Sequence, residues 1–288
     1  MKHSESLFLQ IRGLRYHVRR WSAPGAPRMV LLHGWMDVSA SFQFLVDALE
    51  RDWDVYAPDW RGYGLTEWGN ADCYWFPDYI ADLDALLAHI DAENPLNLVG
   101  HSLGGNVAAL YAGARPARVR RLANLEGFGM APTRPEQAPR RYARWLDELR
   151  QRPGLRTYAS FAELARRLQQ GNPRLSASKA EFLAQHWGKE AEGQIVLRCD
   201  PAHKIVNPVL YRYDEVHACW QSVSAPVLWV EGAESETPKR LHLTSAEIEQ
   251  RRAAFRDLRF ASVADAGHML HHDQPEAVAR LLEGFLVR

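Results

Sequence analysis

The chain has 288 residues, 47% hydrophobic and 24% charged, which suits one catalytic domain with an insertion, or two domains, around a large buried core. Thirty-five basic residues balance thirty-five acidic ones, so no excess of charge points to a nucleic-acid partner. No apolar stretch approaches the ~20 residues that a membrane-crossing helix requires.

Residues 1–6 are polar and lack the apolar run of a secretion signal. Residues 7–11 and 14–21 are strand-like runs joined at Gly13, which predicts an opening antiparallel hairpin. After the break at Pro24-Gly25-Ala26-Pro27, residues 29–32 form an apolar run of the kind found in buried central strands, and His33-Gly34-Trp35 follows at once. Residues 40–50 have helical spacing with Phe42, Leu45, Val46 and Leu49 on one side, and residues 54–57 are the next strand. A loop, Pro58-Asp59-Trp60-Arg61-Gly62-Tyr63-Gly64, precedes an amphipathic helix over 77–91, with proline in its first turn.

Residues 96–99 are of strand length and 106–114 read as an alanine-rich helix. Between them lies Gly100-His101-Ser102-Leu103-Gly104, a Gly-x-Ser-x-Gly. A strand that becomes a helix within a few residues strains the backbone at the apex, needs glycines where neighbouring elements crowd it, and lifts the Ser102 hydroxyl above the sheet. The same turn aims the Leu103 N–H, at a helix N-terminus, towards that point. Residues 119–125 are another strand, ending at Glu126-Gly127-Phe128-Gly129.

From residue 133 the alternation stops. Residues 136–151, 161–170 and 177–187 read as three helices separated by Pro153-Gly154 and Gly171-Asn172-Pro173, followed by an irregular aromatic stretch over 198–213 and a short helix near 214–220. Residues 133–168 hold nine arginines and four acids, best read as solvated helix faces rather than as a mouth for anionic substrates. Sheet signals resume at 225–230. Thr244 or Ser245 then caps a helix through residue 255, residues 258–264 form the last strand, and 275–287 a closing helix.

The Gly-x-Ser-x-Gly in its strand–turn–helix context, together with the alternation around it, resembles the α/β-hydrolase family along nearly the whole chain except about 131–222. The resemblance implies a doubly wound, mostly parallel sheet with a helical cap inserted after the sixth strand: a core of 1–130 and 223–288, and a cap of 131–222. It implies that Ser102 is a nucleophile, and that the backbone N–H of Trp35, after His33-Gly34, is the second oxyanion donor beside Leu103. Asp59 and Arg61 match the family's Asp-x-Arg-Gly-x-Gly loop and are read as structural, as is His33. Residues 265–276 resemble the family's histidine loop, and Gly267-His268 supplies the base, in the chain order Ser, acid, His.

The acid departs from the commonest pattern. Most of the family carry an aspartate three residues beyond the glycine after the strand at 227–230; that position is Ser235. Glu126, ending the sixth strand, is the preferred candidate, because the run 122–132 resembles the haloalkane-dehalogenase-like members and a carboxylate directly after a buried strand must be paired or hydrogen-bonded. Glu234 and Glu236, one residue either side of the usual position, remain alternatives. A serine at the elbow excludes dehalogenase and epoxide-hydrolase chemistry by an ester to a carboxylate nucleophile.

The resulting expectation is an esterase- or lipase-like serine hydrolase acting through an acyl-enzyme on a small or medium, largely apolar small-molecule substrate. Acyl transfer, carbon–carbon bond hydrolysis, or a ligand-binding member with a vestigial triad are the alternatives. Trp145, Phe161, Phe182, Trp187, Tyr211, Tyr213 and Trp220 are expected to divide between pocket lining and core. No cofactor and no metal are implied, nor a membrane span. Cys73, Cys199 and Cys219 are far apart and odd in number, which suggests free thiols in a reducing compartment, the cytoplasm. A monomer or homodimer is expected.

Overall fold

A computed structural model describes residues 1–287. Eight strands form the main sheet: β1 (Glu5–Ile11), β2 (Leu14–Trp21), β3 (Arg28–Leu32), β4 (Asp54–Pro58), β5 (Leu96–His101), β6 (Val119–Leu125), β10 (Val227–Gly232) and β11 (Leu258–Val263). The three strands between β6 and β10 in the sequence, β7 (Thr157–Tyr158), β8 (Gly188–Ala191) and β9 (Gln194–Leu197), make a separate small sheet. The main sheet has the order β1-β2-β4-β3-β5-β6-β10-β11. Only β2 runs against its neighbours; from β4 to β11 every pairing is parallel.

The apolar runs of the sequence follow from burial on both faces. Val30, Leu32, Leu98 and Leu122 point to one side, where α2 (Phe76–Ile90) and α3 (Leu103–Ala114) pack. Met29, Leu31, Val99 and Ala123 point to the other, covered by α1 (Gln43–Ala48) and α11 (Pro275–Leu286). Successive residues of one strand thus feed two different cores. The expected helix over 40–50 begins as a 3-10 turn, Ser39–Phe42, before α1, and Phe42, Leu45, Val46 and Leu49 are buried as its spacing requires.

Between β6 and β10 stand α4 (Ala138–Arg150), α5 (Phe161–Gly171), α6 (Ala177–Trp187) and α7 (Tyr213–Gln221). Leu164, Ala165, Ala180, Leu183, Ala184, Leu175, Tyr158 and Ile195 form a hydrophobic cluster distinct from those of the main sheet. The β8–β9 hairpin was not anticipated. Its turn puts both Glu192 and Gly193 at positive φ, 50° and 76°, where Glu-Gly gives a weaker hairpin signal than the usual Asn-Gly. α4 buries none of its residues, in keeping with an arginine-rich solvated face.

Three aromatic rings of this segment, Trp220, Phe182 and His203, pack against rings of the main domain's elements. Trp220, on α7, is fully buried, stacked on Phe255 and edge-on to Trp229 in the main core. Phe182 packs edge-on against Phe44. His203 lies sandwiched between the rings of Tyr63 and Tyr74, each 3.8 Å away, and so joins the segment to the Asp59–Gly64 loop. Beyond β10 come α8 (Thr237–Arg240) and α9 (Ser245–Ala253), the latter capped by Thr244 with Glu247 in return; α10 (Leu270–Asp273) precedes α11. Among the described residues, no helix is long and apolar enough to cross a membrane.

Candidate active site

The C-terminal ends of β3, β5, β6, β10 and β11 lie along one edge of the sheet, and every sequence-predicted site residue falls on the loops that leave them. At the β5–α3 turn Ser102 adopts φ 52°, ψ −113°, a strained conformation for a non-glycine residue, held by its N–H donating to Leu125 O (2.8 Å) and by Asn106 N–H donating to Ser102 O (3.0 Å). Packing explains the flanking glycines. A Cβ on Gly100 would lie 2.3 Å from Gly104 O, and one on Gly104 would lie 2.0 Å from Leu32 O. A larger residue at Gly100 would push α3 off β5, and one at Gly104 would push it off β3.

Ser102 Oγ is 3.1 Å from His268 Nε2, and His268 Nδ1 is 3.0 Å from Glu126 Oε2. The His268 ring is 29% exposed; the Glu126 side chain is wholly buried. The β6–β10 ladder continues to Glu126, whose N–H donates to Val230 O (3.0 Å); the chain then turns at φ 61°, which swings the carboxylate under the histidine. There it accepts the Gly232 N–H (2.8 Å) on Oε1 and the Ser235 hydroxyl (2.5 Å) on Oε2. The serine that replaces the commonest family acid therefore donates to the carboxylate. Thr237 Oγ1 lies 2.8 Å from His268 Nδ1, so that nitrogen has two oxygen neighbours. Sequence reasoning missed Ser235 and Thr237 as partners; the signal available was that both follow β10 at the position where an acid was sought.

The alternative acids stand elsewhere. Glu234 pairs with Arg174 at the surface, and Glu236 lies 3.3 Å from Lys239. Both side chains are more than half exposed.

The β3 loop passes against Ser102: a Cβ on Gly34 would lie 3.3 Å from Ser102 Cβ. Trp35 follows, its indole N–H donating to His203 O (3.3 Å). Leu103 opens α3 beside Ser102. His33 is buried and holds the loop: Trp60 N–H donates to its Nε2 (2.9 Å), its Nδ1 donates to Gly34 O (2.8 Å), and burial pushes its pKa down to about 4. Asp59 accepts from Ser39 N–H (2.7 Å), Leu65 N–H (2.9 Å) and the His17 ring (2.7 Å); although burial opposes ionisation, the His17 contact keeps its pKa below the usual carboxylate range. Arg61 forks onto the buried Asp82 (2.5 and 2.6 Å). These residues tie loops together.

The histidine loop is itself anchored. His101 Nε2 donates to His268 O (2.8 Å), Asp273 accepts Gly267 N–H (2.9 Å) and, from α5's end, Asn172 Nδ2 (2.7 Å), and Lys179 on α6 donates to His272 O (2.6 Å). His271 and His272 are buried and face Ser41 rather than Ser102.

A half-buried hydroxyl, an imidazole and a buried carboxylate in one hydrogen-bonded row can move a proton off an oxygen nucleophile and stabilise the cation that results. The sequence profile described as alpha/beta hydrolase fold matches residues 27–275. A serine hydrolase-like protein of Danio rerio is 26% identical over 274 residues, covering 92% of this chain and 83% of its own length. Among solved structures, the thioesterase domain from the curacin biosynthetic pathway superposes with a TM-score of 0.87 at 23% identity, covering 97% of this chain and 99% of that domain. An esterase from Mycobacterium tuberculosis superposes at 0.74 with 21% identity, over 99% and 92% of the two chains. With its parallel sheet, its serine at the β5–α3 turn and that match over most of its length, the chain belongs to the alpha/beta hydrolase fold family.

Proposed function

We propose that the protein is a serine hydrolase that cleaves a carboxylic ester of a small or medium, largely apolar substrate through an acyl-enzyme. The observation that carries this reading is the row of hydrogen bonds from Ser102 Oγ through His268 to the buried Glu126. In this scheme His268 Nε2 takes the Ser102 proton as Oγ attacks the ester carbonyl. Glu126 keeps the other proton on Nδ1 and balances the imidazolium charge. The N–H groups of Leu103 and Trp35 receive the oxyanion. His268 then returns the proton to the departing alkoxide, and a water deprotonated by the same ring hydrolyses the acyl-serine. The esterase among the structural relatives supports the choice of an ester. Residues 131–222 serve as the cap over a core of 1–130 and 223–288, with Asn172 and Lys179 fastening it to the histidine loop. The three unpaired cysteines support a reducing compartment such as the cytoplasm.

Replacing the nucleophile tests the scheme directly. Ser102→Ala is expected to lower p-nitrophenyl acetate turnover by a factor of ~10³ or more with an unchanged melting temperature, and a fluorophosphonate probe to label Ser102 in the parent protein. Comparable turnover by the variant, or labelling of another residue, would sink the assignment. A parent protein that neither reacts with the probe nor turns over esters would favour the non-catalytic alternative.

A further inference from the structure

Directly behind Ser102 and His268 lies a polar cluster that the hydrolytic scheme does not use. It comprises Asp37, two residues after Trp35; His101, one residue before Ser102; and His271, three residues after His268. All three are buried. One donor atom from each lies within 4.8 Å of the others, and the His101 and His271 rings are 4.4 Å apart.

The hydrogen bonds around the cluster fix the protons. His268 O can only accept, so His101 carries its proton on Nε2 and leaves Nδ1 as a bare lone pair. With Asp37 ionised, Ser41 donates its single proton to Asp37 Oδ2 (2.9 Å). The two nitrogens that face Ser41 Oγ, Nε2 of His271 (3.3 Å) and Nε2 of His272 (2.9 Å), must then donate to it. His271 Nδ1 is therefore a lone pair as well. Neither His101 Nδ1 nor His271 Nδ1 has a hydrogen-bond partner, and both are shut off from solvent. Beside them Asp37 accepts from Val38 N–H (2.8 Å) and Ser41, with the Trp187 side chain also against it and no cationic side chain bonded to it among the described residues.

Burial drives these groups away from charge. Desolvation raises Asp37 to about 7 and pushes His101 and His271 well below the ordinary histidine range. A protonated imidazole is thus a poor counter-ion here. A divalent cation would satisfy two nitrogen lone pairs and one carboxylate together, and that donor set suits zinc and its neighbours rather than calcium or magnesium.

We propose that Asp37, His101 and His271 form a binding site for a borderline transition-metal ion such as Zn²⁺ or Co²⁺, bound behind the nucleophile and clamping the β3 loop, the β5–α3 turn and the histidine loop to one another. Donors around a tetrahedral ion with ~2.1 Å bonds lie about 3.4 Å apart, so binding draws the three side chains together by at most roughly an ångström. The sequence offered no metal motif because the three ligands come from three separate segments, the loop after β3, the end of β5 and α10. The site is independent of the hydrolytic reading and stands or falls by itself.

Titration of the metal-free protein with Co²⁺ tests it. Expected are a ligand-field absorption band that saturates at one equivalent and a melting temperature higher by about 5 °C at a hundredfold excess over the dissociation constant. Both should vanish in Asp37→Asn and in His271→Gln, and both should persist in His268→Asn and Ser102→Ala. Should either cluster variant fail to fold, a zinc-soaked crystal of the parent gives the same answer: the anomalous peak lies between the Asp37 carboxylate and the two imidazoles. A band that survives in the folded cluster variants, a band lost in His268→Asn, a peak elsewhere, or no saturable band overturns the proposal.

Discussion

The ends of β6 and β10 are adjacent, parallel, and rich in glutamate, yet they treat their carboxylates in opposite ways. Glu126, after β6, is wholly buried and receives hydrogen bonds from Gly232 N–H, the Ser235 hydroxyl and the His268 ring. Glu234, after β10, is half exposed and meets Arg174 at the surface. A carboxylate taken out of water keeps its charge only where fixed donors replace the lost hydration, and those donors also hold it still. An exposed ion pair is screened and mobile, and contributes ~0–1 kcal/mol. What separates these two carboxylates on neighbouring strand ends is their surroundings and not their residue type.

Five measurements would break or sharpen that contrast, the largest effect first. Glu126→Gln keeps the shape and removes the charge, and should lower kcat by ~10⁴, as loss of a triad acid's charge does. A variant within tenfold of the parent would mean that the β6 end carries no acid function. Next in size is a stability effect that extends the contrast from carboxylates to histidines. His33, held at about 4, and His203 and His272, held at about 3, stay neutral in the folded protein, whereas unfolded histidine takes up a proton near pH 6.5. Between those values the unfolded state binds more protons, so their stabilisation is present above about pH 6.5 and is lost as the pH falls towards 3–4. Asp37, raised to about 7, acts in the opposite sense over the same window, one carboxyl against these three rings and the further depressed His101, His186 and His271. The melting temperature should fall by about 10 °C between pH 7 and pH 4. A flat profile would mean that these rings are not held neutral by burial.

Smaller still are the donors around the acid. Ser235→Ala removes the hydroxyl that steadies the Glu126 carboxylate and should cost about tenfold in kcat with KM little changed. Thr237→Val removes the second oxygen beside His268 Nδ1 and should cost less. Full activity in Ser235→Ala would leave Gly232 and His268 as the donors that matter. Smallest of all is Glu234→Gln, expected to leave kcat within twofold and the melting curve unchanged. A drop comparable to that of Glu126→Gln would reverse the comparison and return the acid to β10.

Much of the architecture is legible in the chain because it rests on local rules. Residues 29–32 are apolar at every position, and 96–99 at every position but Asn97, since both faces of a central parallel strand are buried, and the glycines around Ser102 stand where a Cβ would strike Gly104 O or Leu32 O. The strand-to-helix turn, the histidine loop and the departure at Ser235 can all be read in one dimension. The β8–β9 hairpin escaped because Glu-Gly is a weak turn signal, and the aromatics over 145–220 could not be divided between pocket and core because spacing does not say which neighbour a ring meets.

Sequence by itself determined which residue types were available at each strand end: a serine at the elbow, a histidine after the last strand, glutamates after two neighbouring strands. Tertiary structure alone decided which glutamate lies under His268, for that depends on the β6–β10 pairing, on the turn at Glu126 with φ 61°, and on Ser235 and Gly232 arriving from another strand. It likewise brought Asp37, His101 and His271 together from segments far apart in the chain. Desolvation and hydrogen-bond supply are sums over everything packed around a side chain, and most of those neighbours are distant in sequence.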